Sequence, residues 1–198
     1  MEPLTGKVVA MVCRGGEADR AIAVALAEAG ADIALGTVSR SRDEEFATAS
    51  IANEIWAIGR EQFNTVLDAA DPADAAAFAG ETCDRLGRCD AVVIAPGAAP
   101  RIDWDQLSRD EWEPLLAEGL TAPVIAAQAF ARVMERAGGG VVVLIDDDPG
   151  PLNLPGAVVN EATRAFAAQL GLAWQSRPLR ALFVSREAAA RQLTDILK

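Results

Sequence analysis

The sequence predicts an α/β protein in which a parallel sheet of about six strands is covered by helices on both faces. Two observations predict this class. Short apolar runs alternate along the chain with longer stretches of helical periodicity, which is typical of strand–helix–strand units. The chain has 198 residues, of which 51% are hydrophobic and 24% charged, as in a soluble globular protein with one core. We therefore expect a single domain over residues 1–198.

The first half of the chain alternates between strands and helices. Buried strands are predicted at residues 7–13, 31–36 and 62–67, and helices at residues 18–29, 43–58 and 71–87. Gly30, Gly59 and Gly87 stand where a helix C-terminal cap belongs. Asp71 and Pro72 supply an N-terminal cap and a first-turn proline to the third helix.

The second half continues the alternation. Strands are predicted at residues 90–95, 141–145 and 180–184, and helices at residues 109–137, 158–174 and 187–197. Ser108 and Glu111 fit a capping box at the start of the long helix, which we expect to bend near Pro123. We find no internal repeat and no linker, so these elements are expected to share one sheet.

Two residue types are absent, because the sequence contains no histidine and no tyrosine. Ser-His-Asp catalysis, Cys-His catalysis and histidine-ligated metal sites are therefore excluded within this chain. A catalytic tyrosine is excluded as well. The three cysteines, Cys13, Cys83 and Cys89, lack metal-ligand spacing, so we expect no metal site and reduced thiols in a cytoplasmic protein.

The formal net charge of −11 makes nucleic acid and anionic membranes poor partners. The arginines are scattered along the sequence and no basic patch is visible. No stretch approaches the roughly 18 apolar residues of a membrane-spanning helix, and the first residues show no signal-peptide pattern. We expect a cytoplasmic protein that binds neither nucleic acid nor membrane.

Framework residues occur along the chain in a recognisable order. They are Leu4-Thr5-Gly6-Lys7 before the first strand, Arg20-Ala21-Ile22-Ala23 in the first helix, Asp68 after the third strand, Gly97 after the fourth, Trp112 in the long helix and Gly138-Gly139-Gly140 before the fifth strand. Over about residues 4–184 this order resembles the short-chain dehydrogenase/reductase family. The resemblance implies a Rossmann-like, doubly wound three-layer sandwich that binds ligands at the carboxyl ends of its strands. It also implies that the family's substrate lid and seventh strand are missing here.

The resemblance places the three glycines of the family's first loop on Cys13, Glu17 and Asp19. Those glycines let the backbone approach a pyrophosphate. A carboxylate several ångströms from a pyrophosphate costs about 1–4 kcal/mol, so we expect dinucleotide binding to be weakened. After the second strand, residues 37–39 offer no acidic side chain to read an adenosine ribose.

The resemblance also implies four catalytic positions. The family's Asn, Ser, Tyr and Lys fall on Gly119, Asp147, Asn160 and Arg164. All four differ from the family's residues; Asn160 cannot exchange a proton near neutral pH, and Arg164 stays charged. Asp147, Asn160 and Arg164 therefore remain as fallback catalytic residues. Asp68 and Gly97 remain as fallback cofactor-binding residues.

Three consecutive carboxylates, Asp146, Asp147 and Asp148, follow the fifth strand at the ligand-binding edge. Alternation along the backbone predicts that Asp146 and Asp148 point one way and Asp147 the other. A divalent-cation site and an acid/base role for Asp147 are the functional readings. A solvated acidic turn before Pro149-Gly150 is the interpretation we favour.

Apolar residues on more than one face of the helices at about 109–137 and 158–174 predict an interface. In the family that these residues resemble, the corresponding helices usually pair with a twin set. We therefore expect a homodimer, or a heteromer with an active relative, with Trp112 and Trp174 contributing to the contact.

Loss of the four catalytic residues and of the loop glycines predicts a catalytically silent protein that acts as a structural or regulatory subunit, with no cofactor. Two alternatives stay open. One is a cofactor-independent enzyme that uses Asp147, Asn160 and Arg164 for proton transfer on a small substrate. The other is a divergent oxidoreductase that still holds NAD or NADP through Asp68 and Gly97.

Overall fold

The computed structural model describes residues 2–98, 100–147, 150 and 153–198. The strands are β1 (Val8–Cys13), β2 (Asp32–Gly36), β3 (Gln62–Thr65), β4 (Ala91–Ala95), β5 (Gly140–Asp146) and β6 (Leu179–Ser185). The helices are α1 (Glu17–Glu28), α2 (Arg42–Ile58), α3 (Pro72–Leu86), α4 (Arg109–Leu116), α5 (Ala122–Arg136), α6 (Leu154–Ala173) and α7 (Arg186–Ile196). The strands form one parallel sheet in the order β3-β2-β1-β4-β5-β6, which confirms the doubly wound α/β architecture.

Helices cover both faces of this sheet because its strands carry apolar side chains in both directions. In β1, Val9, Met11 and Cys13 join the core beneath α1, α2 and α7, whereas Ala10 and Val12 join the core beneath α3, α5 and α6. All six residues of β1 are buried. The continuous apolar run that predicts a central strand therefore contributes side chains to the core on both faces of the sheet.

The order of strands reverses at β1, which pairs with β2 on one side and β4 on the other. The chain leaves β1 and β4 in opposite directions, so a crevice opens above the carboxyl ends of these two strands. In a doubly wound sheet this crevice is where ligands bind, and the loops after β1, β2, β4 and β5 surround it. The fold thereby determines where a functional site has to be sought.

The long predicted helix is three pieces rather than one bent helix, because a π-helical turn at Ala117–Thr121 separates α4 from α5. Pro123 has no N–H to donate to the carbonyl of Gly119, four residues earlier. The hydroxyl of Thr163 in α6 donates to that carbonyl instead, at 3.0 Å. A Cβ on Gly119 would lie 2.5 Å from Cγ1 of Val159, so α6 packs directly on the backbone of this turn.

Helix α6 begins at Leu154, four residues before the predicted start at 158. Asn153 caps it, since its side-chain oxygen accepts from the backbone N–H of Gly156 at 3.2 Å, and Pro155 occupies the first turn. Trp174 closes the helix and is only 5% exposed, so the expectation that it lies in an interface is wrong. Trp112 is half-buried.

The segment Arg109–Arg136 is long and apolar enough to cross a membrane by length and composition alone. Ala126, Phe130 and Met134 in this segment are buried in the core between α5 and the sheet. Phe130 also meets Phe78 of α3 edge-on, with ring centroids 5.5 Å apart. These contacts identify α5 as a core helix of the fold.

Candidate functional site

Carboxylates from three parts of the chain occupy the crevice edge. Asp19 lies in the first turn of α1, Glu44 in the first turn of α2 and Asp147 directly after β5. All three are buried, and each accepts hydrogen bonds from backbone N–H groups of a loop that ends a strand. The edge therefore carries buried negative charge where a ligand of this fold would lie.

Asp19 holds the loop between β1 and α1. One of its carboxylate oxygens accepts from the backbone N–H groups of Gly15 and Gly16, each at 3.1 Å, and the residue is 2% exposed. Gly15 has a φ of +79°, and a Cβ there would lie 2.6 Å from Cβ of Ala47. The loop keeps a glycine where the backbone requires one, and its donors are already taken by the protein's own carboxylate.

Glu44 holds the loop after β2. Its carboxylate accepts from the backbone N–H groups of Val38 and Ser39 at 2.9 and 2.8 Å, and from the Ser39 hydroxyl at 3.1 Å. Residues 37–39 themselves carry no acidic side chain, but Glu44 reaches back from α2 to this loop. Arg40 donates to Asp74 at 2.6 Å and remains exposed.

Asp147 holds the loop after β4, because its carboxylate accepts from the backbone N–H of Gly97 at 3.0 Å. Asp146, one residue earlier, points the other way and accepts from Asn160 and Arg164. This confirms the predicted alternation for the first two carboxylates. The third, Asp148, and Pro149 of the predicted turn lie outside the described residues.

Two arginines pair with the three carboxylates, Arg14 with Glu44 and Arg186 with the other two. Arg186, the first residue of α7, pairs with both Asp19 and Asp147, which lie on different loops. Burial alone lowers the pKa of Arg186, but its bonds to these two carboxylates outweigh burial and raise that pKa. The guanidinium therefore stays charged. Its Nη2 atom is buried and has no hydrogen-bond partner among the described residues.

Arg14 follows β1 and lies across the crevice. It donates to Glu44 at 2.7 Å, to Glu118 of the π-helical turn at 2.5 Å and to the carbonyl of Pro96 at 2.5 Å. A Cβ on Gly97 would lie 2.9 Å from Cδ of Arg14, so the arginine covers that glycine. We call Arg14, Arg186 and the three carboxylates Asp19, Glu44 and Asp147 the ionic network.

A cavity of about 100 Å³ lies beside Arg14, between the sheet edge and the helices α4 and α6. Its polar lining consists of Arg14, Glu111, Glu118, Asp147, Asn160 and Thr163. Hydrogen bonds from Ser108 to Glu111 lower the pKa of that carboxyl group, which is therefore ionised near neutral pH. The cavity combines an amide, a hydroxyl and several carboxylates in a small volume with largely apolar walls.

The fallback catalytic residues do not form one cluster. Asn160 donates to Asp146 at 2.7 Å, and Arg164 donates to the other oxygen of Asp146 at 2.8 Å while lying 4.7 Å over the ring of Phe183. Asp147 shares the cavity with Asn160 but is bound to Arg186. The structure thus brings Asn160 and Arg164 together on Asp146, a residue that the resemblance does not single out.

The fallback cofactor-binding residues lie at the same edge. Asp68 is exposed after β3, and its carboxylate accepts from the backbone N–H of Ala70 at 3.0 Å. Gly97 lies beneath Arg14. Cys13 at the end of β1 is fully buried, and burial together with the neighbouring Asp19 raises the pKa of its thiol. Among the described residues, no three Cys, Asp or Glu side chains are placed to share a metal ion.

A doubly wound sheet with its loops gathered above the strand-order reversal defines the dinucleotide-binding class of α/β proteins. Residues 19–173 match the family model described as enoyl-(acyl carrier protein) reductase. The chain belongs to the short-chain dehydrogenase/reductase family.

Similar proteins include an uncharacterized oxidoreductase of Thermotoga maritima, 28% identical over 84% of this chain and 63% of that protein. D-threitol dehydrogenase of Mycolicibacterium smegmatis is 29% identical over 71% of this chain and 52% of that protein. This chain spans between one half and two thirds of the length of these relatives. The crystal structure of a gluconate 5-dehydrogenase from Burkholderia cenocepacia, in complex with NADP and tartrate, matches with a TM-score of 0.78 and 26% identity over 92% of this chain and 71% of that one.

These matches correct three expectations from the sequence. The relatives are named oxidoreductases and dehydrogenases, so the prediction of a catalytically silent subunit is wrong, as is the prediction that the chain is not an enzyme. The expectation that no cofactor is used is also wrong, because the gluconate 5-dehydrogenase binds NADP. The error arose because catalytic ability was inferred only from the residue types at the four catalytic positions and the three loop-glycine positions.

The residues of this edge, in the conformation seen here, do not fit a dinucleotide. Asp19 already occupies the donors of the first loop, and Arg14 covers Gly97. One donor at this edge is unused, since the Nη2 atom of Arg186 is buried and has no partner among the described residues. Dinucleotide binding at this edge is therefore obstructed by the protein's own carboxylates and by the side chain of Arg14.

Four charged residues of this edge were not predicted from the sequence: Arg14, Glu44, Glu118 and Arg186. A sequence pattern could have pointed to Glu44, because Ser41 and Glu44 fit the capping-box spacing at the start of α2. Its carboxylate instead turns back to the loop after β2, while Ser41 accepts from the N–H of Asp43. No local sequence pattern could have pointed to Arg186, since 167 positions separate it from its partner Asp19.

Proposed function

We propose that this chain is an NAD- or NADP-dependent oxidoreductase that acts on a small, uncharged hydroxyl or carbonyl compound. The observation that carries the proposal is the cavity at the carboxyl edge of β5, where Asn160 and Asp147 line a space in contact with the cofactor edge of the family's fold. The names of the relatives support the reaction class. The cofactor belongs to the proposal, with Asp68 and Gly97 as candidate contacts, and its binding requires Asp19 to leave the first-loop donors and Arg14 to move off Gly97.

The charge of the cavity supports a neutral substrate. Glu111, Glu118 and Asp147 line it, and the only cation among its described lining residues is Arg14. Because Arg14 is already paired with Glu44 and Glu118, a substrate carboxylate would meet uncompensated negative charge. Among the substrate types named for similar proteins, a polyol such as threitol suits this lining better than gluconate.

Asn160 is proposed to orient the substrate. Its amide nitrogen is held by Asp146, which leaves the side-chain oxygen to accept a hydrogen bond from a hydroxyl in the cavity. Arg164 fixes Asp146 from the other side and is a positioning residue. Neither side chain exchanges protons near neutral pH, so the proton must pass to another group.

Glu118 is proposed to take that proton. It lines the cavity and bonds to Arg14 through one oxygen, so the other oxygen is available to a substrate hydroxyl. Asp147 is less suited, because Gly97 and Arg186 each bind one of its oxygens. A carboxylate that accepts a proton in the transition state contributes about 10²–10⁴-fold to the rate.

The test follows the absorbance of the reduced nicotinamide while the purified chain is supplied with threitol, rhamnose or gluconate and with NAD or NADP. We expect turnover of a neutral compound, and a loss of about 100-fold or more in kcat for Glu118→Gln. Glu113→Gln is the matched control, because Glu113 lies on α4 and, among the described residues, its carboxylate pairs only with the exposed Arg109. Absence of turnover with every combination, or full activity of Glu118→Gln, contradicts the proposal.

We also propose that residues 1–198 act as one domain, that two copies pair through α5 and α6, and that the protein is cytoplasmic. The exposed apolar side chains Leu154, Val158 and Leu172 on α6 support the pairing. The three free cysteines support a reducing compartment.

A further inference from the structure

The π-helical turn between α4 and α5 carries Glu118 to the cavity. Within this turn the backbone N–H of Ala122 donates to the carbonyl of Ala117, five residues earlier, so the turn holds one residue more than an α-helical turn. Because each residue of an α-helix turns the chain by about 100°, an α-helical turn at this place would rotate Glu118 by about that angle relative to α5. The extra residue therefore decides whether the Glu118 carboxylate reaches Arg14 and the cavity.

A hydroxyl group of α6 contacts the carbonyl that this turn leaves free. The hydroxyl oxygen of Thr163 lies 3.0 Å from the carbonyl oxygen of Gly119 and 3.1 Å from that of Val159, and the hydroxyl has one proton to donate. Val159 precedes Thr163 by four residues in α6, so its carbonyl already receives a backbone N–H. Gly119 precedes Pro123 by four residues, and proline has no N–H. The hydroxyl is therefore needed by the turn rather than by α6.

We propose that Thr163 is a positioning residue for the reaction, because its hydroxyl holds the π-helical turn in the form that directs Glu118 at the substrate. Thr163 also lines the cavity, but its proton is donated to the backbone, so it acts on the reaction through Glu118. The role of Glu118 as proton acceptor rests on the proposed function. The dependence of the turn on Thr163 does not.

Loss of the hydroxyl would leave the Gly119 carbonyl facing α6 without a donor. Thr163 is 3% exposed, and a Cβ on Gly119 would lie 2.5 Å from Cγ1 of Val159, so water has little room to replace the hydroxyl. A buried acceptor without a donor is unfavourable, and the turn escapes that state by moving its carbonyl away from α6. Because Glu118 directly precedes Gly119, the same movement takes its carboxylate away from Arg14.

Support of α6 alone would give Thr163 a structural role and no effect on the reaction. Thr82 of α3 separates the two roles, because it is fully buried and its hydroxyl donates to the carbonyl of Phe78, four residues earlier, at 2.8 Å. Thr82 is not among the described residues that line the cavity. Thr82→Val thus removes the same kind of intrahelical hydrogen bond as Thr163→Val and leaves the π-helical turn untouched. A difference between these variants reports the bond to Gly119.

The first experiment needs no enzymatic activity, because it measures the coupling between Arg14 and Glu118. The urea midpoint is determined for Arg14→Met, Glu118→Gln and their combination, in the unaltered chain and in chains that also carry Thr163→Val, Thr163→Ser or Thr82→Val. We expect Glu118→Gln to shift the midpoint less once Arg14→Met is present, in every chain that keeps a hydroxyl at position 163. In the Thr163→Val chain the two shifts should be equal. Thr163→Ala replaces Thr163→Val if circular dichroism shows that the valine variant is unfolded.

The second experiment measures kcat and KM for the compound that the unaltered chain turns over best. We expect Thr163→Val to lower kcat about 10- to 100-fold, since a small displacement of a reacting group has an effect of this size. KM should change less, because Asn160 still orients the substrate. Thr163→Ser should recover most of kcat, and Thr82→Val should keep the kcat of the unaltered chain.

Coupling that survives in the Thr163→Val chain, or that is absent from the unaltered chain, overturns the inference. So does a Thr163→Val enzyme with full kcat, or an equal loss of kcat in Thr82→Val. If the coupling depends on the hydroxyl but no compound is turned over, Thr163 still positions Glu118 and the proposed function falls. If turnover is found but the coupling is independent of the hydroxyl, the proposed function stands and the role of Thr163 falls.

Discussion

Asp19 is a buried carboxylate in the first turn of α1, where it accepts from two backbone N–H groups and pairs with Arg186. At the position of Asp19 the resemblance implies a glycine, and a carboxylate there predicts repulsion of a pyrophosphate. The structure gives the reason that a carboxylate is tolerated, since two N–H groups and Arg186 neutralise it. The residue type was readable from the sequence, but the charge that surrounds it was not.

The buried thiols of Cys13 and Cys89 predict an alkaline loss of stability. Burial raises the pKa of both thiols well above the value of about 8.5 for an exposed cysteine. The unfolded chain therefore releases these protons above about pH 8.5 while the folded chain keeps them, so stability is complete below that pH and falls above it. The slope is up to about 1.4 kcal/mol per pH unit for each thiol.

The double variant Cys13→Ala, Cys89→Ala should lose most of this slope, measured as the urea midpoint at about pH 7.5 and about pH 9.5. Few other side chains contribute to the alkaline slope, because the chain has no tyrosine and its two lysines, Lys7 and Lys198, are both at the surface. Cys83→Ala, at a half-buried position, should change the slope less. An unchanged slope in the double variant would mean that other groups cause the alkaline loss.

Among the elements, the π-helical turn between α4 and α5 depends on one glycine. Gly119→Ala would place a Cβ 2.5 Å from Cγ1 of Val159, so we expect a loss of about 1–3 kcal/mol in the free energy of unfolding. Val159→Ala removes the clashing methyl groups, and the double variant should recover part of the loss relative to the sum of the single variants. Urea unfolding of the four proteins measures this coupling.

Gly80→Ala is the control for this prediction. Gly80 lies inside α3, and a Cβ there would meet nothing within 4 Å. Alanine should therefore stabilise the chain by about 0.5–1 kcal/mol, because glycine in a helix interior is unfavourable. A similar change in the free energy of unfolding for Gly80→Ala and Gly119→Ala would show that packing against α6 is not the cause of the effect at Gly119.

Strands and helices were predictable because their signals are local. The apolar run of β1 and the caps Asp71 and Gly87 of α3 lie within the elements that they define, and the structure confirms both elements. The π-helical turn was not predictable, since it depends on Thr163 of α6 donating to the free carbonyl of Gly119. The candidate site was the least predictable part, because ion pairs such as Arg186–Asp19 join residues far apart in the sequence.

At the scale of the whole molecule, charge is distributed unevenly. Lys7, Arg88, Arg180 and Lys198 surround a cavity of about 560 Å³ at the amino ends of the strands, whereas the buried carboxylates lie at the carboxyl ends. Asp90 lines the same cavity and pairs with Lys7 and Arg88, and Asp195 pairs with Lys198, so carboxylates balance most of these cations. The arginines are scattered in sequence, and the parallel sheet brings them to one edge because every strand begins there.

The proposed pairing of two copies is tested through α6. Val158 and Leu172 are 50% and 58% exposed, and charged residues at both positions should prevent a second copy from packing there. We expect the double variant Val158→Glu, Leu172→Glu to be monomeric by light scattering while the unaltered chain is dimeric. Phe46→Glu is the control, since Phe46 is 72% exposed on α2, which covers the opposite face of the sheet.

A monomeric unaltered chain, or a dimer that survives the double variant and dissociates with Phe46→Glu, would rule out α6 as the interface. Circular dichroism verifies that each variant is folded.

The position of Arg186 at the start of α7 has a consequence for biosynthesis. A growing polypeptide emerges from the ribosome with its amino-terminal end first. Until residue 186 has been translated, Asp19 and Asp147 have no counter-ion from α7. A nascent chain with its first strands already paired would thus present two like charges at one sheet edge, and translation of the last helix would relieve their repulsion.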